Sequence, residues 1–534
     1  MKCRVVLCVA ASMLLWQAAG VHAELPPLIP RAVLFGNPDK AKPQISPDGK
    51  RLAYLAPDEG VLNVWVRTVG QTDDRAVTKD RNRGVNSYFW AQNNRQILYS
   101  QDKVGDGAWH FYAVDLDKGD IRDLTPFEGV QARVIAVEQG FPNEILVGIN
   151  NRDPKFHDVY RVDLTTGTLA LEAQNDEGLL DWHADHDLRI RAAMKPTAAG
   201  GFELVVRDDT DAAWRTLTAW EPQDALYCGP ISFTPDAKGL YIASSTGSDT
   251  AELREIDLTT GKEKTLASDR HADIARVYVH PIEHTIQAVG FNKERIHWKV
   301  LDPSVKDDFR AIKRIRRGDF GINNRDHADK TWLIYFNADD GPVSYYAYDR
   351  ESKKAEFLFT NREALKGVKL AKMAPISFRA RDGLTIPGYL TSPPGIPARN
   401  LPTVVLVHGG PWYRDLWGYN CEVQWLANRG YAVLQINYRG STGYGKAFIN
   451  ASSREWGGKM HDDLIDGVNW AIGMRIADPQ RIAIFGASFG GYATLVGLTS
   501  TPEVFCCGVD ICGPSNLITY ISAMPDYYKP FEPL

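Results

Sequence analysis

Hydrophobic and polar residues alternate in short runs from about residue 35 to residue 360, and turn residues separate one run from the next. Alternation with a period of two predicts β-strands that are buried on one face. The closely spaced turns predict that successive strands are short and antiparallel. The first part of the chain is therefore expected to be an all-β domain.

A short phrase recurs along this region, in which a strand leads into Asp-Leu and then into a polar turn that contains Gly or Lys. Its aspartates are Asp115, Asp163, Asp257 and, in a weaker copy, Asp349. They are 48, 94 and 92 residues apart, so that the last two gaps each leave room for one weaker copy. A period in the forties with about four strands per unit is typical of a β-propeller blade. The spacing favours seven blades, with six or eight left open.

The pattern changes near residue 364, where continuous apolar strands begin to alternate with helical segments. The apolar runs span residues 404–407, 431–437, 481–485 and 505–511. Such runs are typical of parallel strands that are covered by helices on both faces. We therefore expect a β-propeller over residues 35–360, followed by an α/β-hydrolase domain over residues 364–534.

Residues 486–490, Gly-Ala-Ser-Phe-Gly, follow the apolar run 481–485 and lead into a segment that can begin a helix. A Gly-x-Ser-x-Gly turn between a buried strand and a helix is typical of the nucleophile elbow of serine hydrolases. Gly486 and Gly490 are needed there, because the serine occupies a strained turn in which side chains on either flank would collide with backbone. Ser488 is therefore predicted to be the nucleophile, with a plain strand–helix turn as the alternative.

A serine nucleophile needs hydrogen-bond donors for the oxyanion that forms when it attacks a carbonyl group. We expect the backbone N–H of Phe489 to supply one donor and the glycine loop at Gly409 and Gly410 to supply the other. His408 precedes the serine at a strand end, whereas the base of such hydrolases follows the serine. His408 is therefore expected to shape the glycine loop, and His461 is expected to lie at the N-terminus of a helix.

Six short phrases follow one another through the second part of the chain: 381–383 (Arg-Asp-Gly), 408–411 (His-Gly-Gly-Pro), 437–445 (Asn-Tyr-Arg-Gly-Ser-Thr-Gly-Tyr-Gly), 456–457 (Trp-Gly), 462–463 (Asp-Asp) and 486–492 (Gly-Ala-Ser-Phe-Gly-Gly-Tyr). Their order and spacing resemble the catalytic domain of the prolyl oligopeptidase family, nearest its acylaminoacyl-peptidase and dipeptidyl-peptidase-like branch. The resemblance implies a serine peptidase that forms an acyl-enzyme on Ser488. It also implies a propeller seated over the active site, which admits short peptides and excludes folded proteins.

The chain lacks the partners that this family carries downstream of its serine. Residues 489–534 contain no histidine, and their aspartates are Asp510, inside an apolar run, and Asp526, soon after it. A serine without a base stays protonated and is a poor nucleophile near neutral pH. We therefore expect an incomplete hydrolase domain that is truncated before the triad Asp and His. Such a polypeptide is expected to be nearly inactive and poorly soluble, because the strand at 505–511 would be an unprotected sheet edge.

Two other interpretations stay open. A non-catalytic protein, or a remnant of an enzyme, would use the propeller as a binding platform, although the retained elbow and glycine loop argue against a long-established binding role. A serine esterase would share the chemistry of the elbow, and the propeller favours peptides as substrates. The sequence does not indicate which peptide bond is cleaved.

The first 23 residues have the pattern of a cleaved export signal. Lys2 and Arg4 precede an apolar run that ends near Ala19, and residues 21–23 offer a cleavage site between small residues. The protein is therefore expected to be exported to the periplasm or the extracellular space, without a stable membrane anchor.

Composition limits the remaining partners. A net charge of −5 gives no reason to expect binding to nucleic acid. Seven cysteines in 534 residues predict neither a disulfide framework nor a metal site. No metal ion and no cofactor are expected, short peptides are the expected partners, and self-association into a homo-oligomer stays open.

Overall fold

The computed structural model of the protein describes residues 24–524, so that the predicted export signal and Asp526 lie outside the described residues. The first part of the chain forms seven small antiparallel sheets that follow one another in sequence. The sixth sheet along the chain has three strands, and each of the other six sheets has four. The predicted seven-bladed β-propeller is thereby confirmed, and each of the two long gaps in the Asp-Leu spacing contains one further blade.

Within each blade the strands pair in chain order, and the short helix α1 (Arg31–Phe35) precedes the first blade. Blades 1 and 2 contain β1 (Ala41–Ile45), β2 (Arg51–Asp58), β3 (Val61–Thr68), β4 (Arg75–Ala76), β5 (Ser87–Trp90), β6 (Gln96–Gln101), β7 (His110–Asp115) and β8 (Ile121–Asp123). Blades 3 and 4 contain β9 (Ala132–Ala136), β10 (Glu144–Asp153), β11 (Phe156–Asp163), β12 (Leu169–Ala173), β13 (Leu180–Ala184), β14 (Ile190–Pro196), β15 (Phe202–Val206) and β16 (Arg215–Trp220). Blades 5 to 7 contain β17 (Gly229–Phe233), β18 (Gly239–Ser244), β19 (Glu252–Asp257), β20 (Glu263–Ala267), β21 (Ile274–Val279), β22 (Ile286–Asn292), β23 (Ile296–Val300), β24 (Asp319–Arg325), β25 (Thr331–Ala338), β26 (Gly341–Asp349) and β27 (Lys354–Thr360).

The recurring aspartates end the third strand of their blades, as Asp163 does in blade 3. The carboxylate of Asp163 accepts hydrogen bonds from the backbone N–H groups of Thr165 and Thr166, at 2.7 and 2.8 Å. These bonds hold the tight turn into the fourth strand and lower the pKa of Asp163. The phrase recurs because each of these blades needs the same turn.

Helix α2 (Lys306–Ile315) lies between blades 6 and 7, in a stretch where the alternating pattern predicted only strands. Phe309 and Ile312 are three residues apart, so they share one face of the helix. That face is buried against Trp332 and Tyr348 of blade 7. The helix therefore supplies the apolar cover that a fourth strand gives to the other blades.

The ring closes between blade 7 and blade 1 through Asn324 on β24. The side chain of Asn324 donates to the carbonyl of Ile45 at 2.8 Å and accepts from the N–H of Ile45 at 3.0 Å. The neighbouring Asn323 makes one longer bond, 3.2 Å from its Nδ2 to the carbonyl of Pro43. Asn324 thus satisfies both backbone groups of one residue of β1 and joins the two ends of the ring.

Replacing Asn324 by alanine is expected to lower the free energy of unfolding by about 1–3 kcal/mol, because it leaves two backbone groups of Ile45 without their partner. The matched variant Asn323→Ala is expected to lower it by about 0.5 kcal/mol or less, since that side chain is exposed. Urea unfolding followed by tryptophan fluorescence measures both losses. Equal losses in the two variants would contradict a special role of Asn324 in closure.

The second part of the chain forms one mixed sheet whose six strands lie in the order β28-β29-β31-β30-β32-β33. The strands are β28 (Met373–Arg379), β29 (Thr385–Thr391), β30 (Leu401–Val407), β31 (Ala432–Ile436), β32 (Ala477–Ala487) and β33 (Cys507–Ile511). The last four are mutually parallel neighbours and coincide with the four apolar runs of the sequence. The predicted α/β-hydrolase architecture is thereby confirmed. Among residues 24–524, β33 is an edge strand that pairs with β32 alone, and its expected tendency to pair with other chains stays a prediction.

The helices of this domain are α3 (Cys421–Asn428), α4 (Lys446–Asn450), α5 (Lys459–Gly473), α6 (Phe489–Ser500) and α7 (Leu517–Ser522). Two 3₁₀ turns lie earlier in the chain, at Pro303–Val305 before α2 and at Glu363–Leu365 after β27. None of the helices in the described part of the chain has the length and apolarity needed to cross a bilayer. The segment 24–34, which the sequence left unassigned, packs on this domain. The N–H of Ile29 donates to Asn428 at 2.7 Å, and Leu34 is buried beside Leu365.

One end of the propeller contacts the hydrolase domain. Lys446 pairs with Asp224 in the connection between blades 4 and 5, at 2.7 Å, and Arg414 donates to the carbonyl of Asn292 at the end of β22, at 2.8 Å. These contacts use the connections between blades and the turns between second and third strands. Because successive strands are antiparallel, the turns between first and second strands lie at the opposite end, which we call the distal end.

Candidate active site

Ser488 stands between the end of β32 and the start of α6, with φ 56° and ψ −121°. Residues other than glycine rarely adopt this backbone conformation. It therefore persists only where surrounding contacts impose it. Two backbone hydrogen bonds do so here. The N–H of Ser488 donates to the carbonyl of Ile511 on β33 at 2.9 Å, and its carbonyl accepts from the N–H of Tyr492 at 3.0 Å. The side chain of Ser488 is exposed at the tip of the turn.

The two flanking glycines allow this turn to pack tightly. A methyl group added to Gly486 would lie 2.4 Å from the carbonyl carbon of Gly490. A methyl group added to Gly490 would lie 2.2 Å from the carbonyl oxygen of Val407, at the end of β30. Both distances are shorter than van der Waals contact and involve backbone, which cannot give way locally. The geometry thus supplies the steric reason for both glycines.

The glycine loop after β30 lies beside the elbow. A methyl group added to Gly409 would be 3.5 Å from Cβ of Ser488, so the two backbones are in contact. Gly410 has φ 125°, and a methyl group there would collide with the backbone nitrogen of Trp412 at 2.7 Å. Phe489 is the first residue of α6, so its N–H is not used by the helix ladder. The structure therefore brings the predicted oxyanion residues to Ser488, and their role as donors stays a prediction.

The side chain of Phe489 anchors the elbow from below. Its ring contacts Tyr438, Trp456 and Tyr492, with ring centroids 5.4, 4.7 and 5.7 Å away. Only 3% of Phe489 is exposed. Tilted and edge-to-face aromatic contacts of this kind add to the burial of apolar area, and they fix the start of α6 and with it the position of Ser488.

His408 is buried in the glycine loop and forms no hydrogen bond with Ser488. Its Nε2 lies 3.0 Å from Oγ of Ser441, its Nδ1 lies 2.8 Å from the carbonyl of Gly409, and its ring stacks on Tyr438 at 4.3 Å. Burial lowers the pKa of His408 to about 4. The imidazole therefore stays neutral and ties the loop to the segment after β31, which is the structural position the sequence predicted for it.

His461 is the third residue of α5, again as the sequence predicted, and its Nε2 lies 3.0 Å from Oγ1 of Thr501. Asp510, on β33, accepts from the N–H of Gly513 at 2.8 Å. Within residues 24–524, no histidine forms a hydrogen bond with Ser488. The described part of the site therefore holds the candidate nucleophile and the candidate oxyanion donors without a histidine in contact with Ser488.

The pKa of His408 gives the stability a pH dependence of known sign. An unfolded histidine has a pKa of about 6.5, so the unfolded chain binds the extra proton first as the pH falls. The stability that neutral His408 contributes is present above about pH 6.5 and is lost as the pH falls towards 4. We expect the stability advantage of the unaltered protein over His408→Gln to shrink by about 2–3 kcal/mol between about pH 7 and about pH 4.5.

Urea unfolding at the two pH values measures this change. His297→Gln provides the control, because it also removes a histidine, but one that is exposed on β23. A constant difference between the unaltered protein and His408→Gln at both pH values would show that His408 titrates normally in the folded state.

A buried ion pair fixes the segments around the elbow, and sequence reasoning did not find it. Arg439 donates from Nε and Nη2 to the two carboxylate oxygens of Asp463, at 2.8 and 2.7 Å, and its backbone N–H donates to the same group at 2.9 Å. Asp382 contacts the guanidinium from the other side, at 2.8 Å. Three of the phrases that carry the family resemblance meet at this point. Their co-occurrence in the sequence was the available signal, but it does not specify which residues pair.

The sequence pattern of the prolyl oligopeptidase family matches residues 417–532. The chain is 44% identical over 512 residues to the dipeptidyl aminopeptidase BIII of Pseudoxanthomonas mexicana. This alignment covers 94% of this chain and 74% of that protein. It is 33% identical over 545 residues to the dipeptidyl peptidase family member 6 of Caenorhabditis elegans. This second alignment covers 95% of this chain and 73% of that protein.

Solved structures support the same fold. A puromycin hydrolase superimposes with a TM-score of 0.72 at 18% identity, over 95% of this chain and 83% of that one. A puromycin-hydrolyzing peptidase of Mycobacterium tuberculosis superimposes with a TM-score of 0.74 at 19% identity, over the same shares of the two chains. Likeness at this level of identity concerns the arrangement of propeller and hydrolase domain.

Proposed function

The chain belongs to the prolyl oligopeptidase family of serine peptidases, and on this premise we propose that it cleaves short peptides through an acyl-enzyme on Ser488. The observation that carries the proposal is the exposed Ser488 side chain, held at φ 56° between β32 and α6 and in contact with the glycine loop. A serine held in this way can reach the carbonyl carbon of a peptide bond that lies over the end of the sheet.

In the proposed reaction, Oγ of Ser488 forms a bond to the carbonyl carbon of the substrate while its proton passes to a base. The carbonyl oxygen becomes an oxyanion that the N–H of Phe489 and the glycine loop at Gly409 and Gly410 would stabilise. Breakage of the C–N bond releases the amine as it takes up a proton, and water then hydrolyses the ester.

The base is the part of this scheme that the described residues do not supply, and residues 489–534 contain no histidine. We therefore propose that a polypeptide of these 534 residues turns over slowly. Losing triad members typically lowers the rate by about 10⁴- to 10⁶-fold. Binding of peptides and slow acylation of Ser488 do not require the full rate.

For specificity we propose removal of dipeptides from free peptide N-termini, outside the cytoplasm. Two relatives that align over more than nine-tenths of this chain are named as a dipeptidyl aminopeptidase and a dipeptidyl peptidase family member, which supports the first part. The pattern of residues 1–23 supports the second part. A propeller on the hydrolase domain favours substrates that are short.

Competition for covalent labelling tests the proposal without requiring fast turnover. The purified protein is labelled with a fluorophosphonate in the presence of a tetrapeptide that has either a free or an acetylated N-terminus. The free peptide is expected to slow labelling at a concentration about 10-fold lower than the acetylated one needs. Equal protection would contradict recognition of the free N-terminus. Protection by a simple ester and by neither peptide would contradict the peptidase proposal and favour an esterase.

A further inference from the structure

Three metal-ligating side chains meet at the distal end of the propeller. Glu138 follows β9 in blade 3, His186 lies between β13 and β14 in blade 4, and His284 lies between β21 and β22 in blade 6. One ligand atom of each residue lies within 4.8 Å of the others. All three occupy the turn between the first and second strands of their blades.

The blades that contribute these residues show where the cluster lies. Blades 3 and 6 are three positions apart in a ring of seven, so their turns can meet only across the central axis. Glu138 and His284 nevertheless approach to 3.8 Å, between Oε2 and Nε2. The cluster therefore spans the mouth of the central channel at the distal end, away from Ser488.

The hydrogen bonds around His186 orient it as a ligand. Its Nε2 lies 3.0 Å from the carbonyl oxygen of Thr234 in blade 5, and a carbonyl oxygen can only accept. When the ring is neutral its proton is therefore on Nε2, and Nδ1, which lies 3.5 Å from Oε1 of Glu138, is the nitrogen available to an ion. A backbone carbonyl that fixes the tautomer of a histidine in this way is the usual outer partner of a metal-bound imidazole.

The distances suit an ion between the groups better than direct bonds. Charge-assisted hydrogen bonds between nitrogen and carboxylate oxygen are about 2.7–2.9 Å long. Here the two nitrogens lie 3.5 and 3.8 Å from the carboxylate oxygens. Two ligands at about 2.1 Å from a tetrahedral Zn²⁺ lie about 3.4 Å apart. The two imidazole rings stack, with centroids 3.5 Å apart and planes 17° apart, so binding of one ion by both requires one ring to turn about its Cβ–Cγ bond.

We propose that Glu138, His186 and His284 bind one Zn²⁺ ion, which clamps blades 3, 4 and 6 together across the distal mouth of the propeller. Two imidazoles and one carboxylate form a known three-residue ligand set for zinc, with a fourth position open to water. About a fifth of each of these side chains is exposed, so an ion can enter from solvent.

Neighbouring contacts extend the closure of the mouth around the rest of the ring. Nε2 of His327 in blade 7 lies 2.6 Å from Oε1 of Gln92 in blade 2, and His280 in blade 6 lies 3.5 Å from Asp329 in blade 7. With the ion in place, the turns of blades 2, 3, 4, 6 and 7 are all joined near the axis. Peptides would then reach Ser488 by a route other than the distal mouth.

Metal titration of the purified, untagged protein tests the proposal. After removal of metals with a chelator, Zn²⁺ is expected to bind with a stoichiometry of one and to raise the unfolding temperature. Co²⁺ is expected to give visible absorption bands that Zn²⁺ abolishes. Glu138→Gln and His284→Gln are each expected to weaken binding by at least about 100-fold, whereas the exposed-site variant His297→Gln binds as before.

A measurement on the unaltered protein keeps the test independent of how the variants fold. Zn²⁺ is expected to protect His186 and His284, and not His297, from modification by diethyl pyrocarbonate, as located by mass spectrometry. Binding weaker than about 100 μM would overturn the proposal. So would tight binding that leaves the reactivity of His186 and His284 unchanged.

Discussion

Replacing Ser488 by alanine is expected to reduce covalent labelling by a fluorophosphonate to background. The reagent reacts with a serine oxygen held beside oxyanion donors, and Ser488 is the residue that the elbow places there. In a complete triad, removal of the nucleophile lowers the rate by about 10⁶-fold. Labelling is followed over hours, so that a slow reaction of Ser488 is also measured.

Intact-protein mass spectrometry shows the adduct, and peptide mapping locates it. Ser500→Ala is the matched control, because Ser500 is an exposed serine at the end of the same helix, α6. The control is expected to label as the unaltered protein does. An adduct that persists in Ser488→Ala, or one that maps to another serine, would contradict the assignment of the nucleophile.

The sequence predicted the elbow and the propeller because both depend on interactions that are local or repeated. Gly486 and Gly490 stand within two residues of Ser488, and the clash that excludes side chains there involves their own turn and the end of β30. The turn at Asp163 is fixed by bonds to the next two or three residues, and the same turn recurs from blade to blade. A periodic spacing of such turns is visible without any knowledge of tertiary contacts.

The features that the sequence did not predict depend on contacts between distant residues. Glu138 and His284 come from blades on different sides of the ring, and only closure of all seven blades brings them together. Helix α2 was missed because its apolar residues, Phe309 and Ile312, acquire their partner surface only from the neighbouring blades 6 and 7. Single-sequence patterns specify which face of an element is apolar, but not what that face will pack against.

Replacing Asp463 by alanine is expected to lower the free energy of unfolding by about 3–5 kcal/mol. Asp463 is fully buried and Arg439 is 3% exposed, so the variant leaves a guanidinium in the interior without its bidentate partner. The remaining carboxylate, that of Asp382, is more than a third exposed and contacts only one side of the group. Urea unfolding at neutral pH, monitored by tryptophan fluorescence, measures the loss.

Asp382→Ala is the matched control, because it removes the second carboxylate from the same arginine at an exposed position. Its expected cost is about 1 kcal/mol or less, since a solvent-exposed partner is screened by water. The buried pair also affects the site, because Arg439 follows Tyr438, whose ring packs between His408 and Phe489. Labelling of Ser488 is therefore expected to slow in Asp463→Ala under conditions in which the variant is still folded. Similar losses of stability in the two aspartate variants, with unchanged labelling, would show that the pair fixes neither the domain nor the elbow.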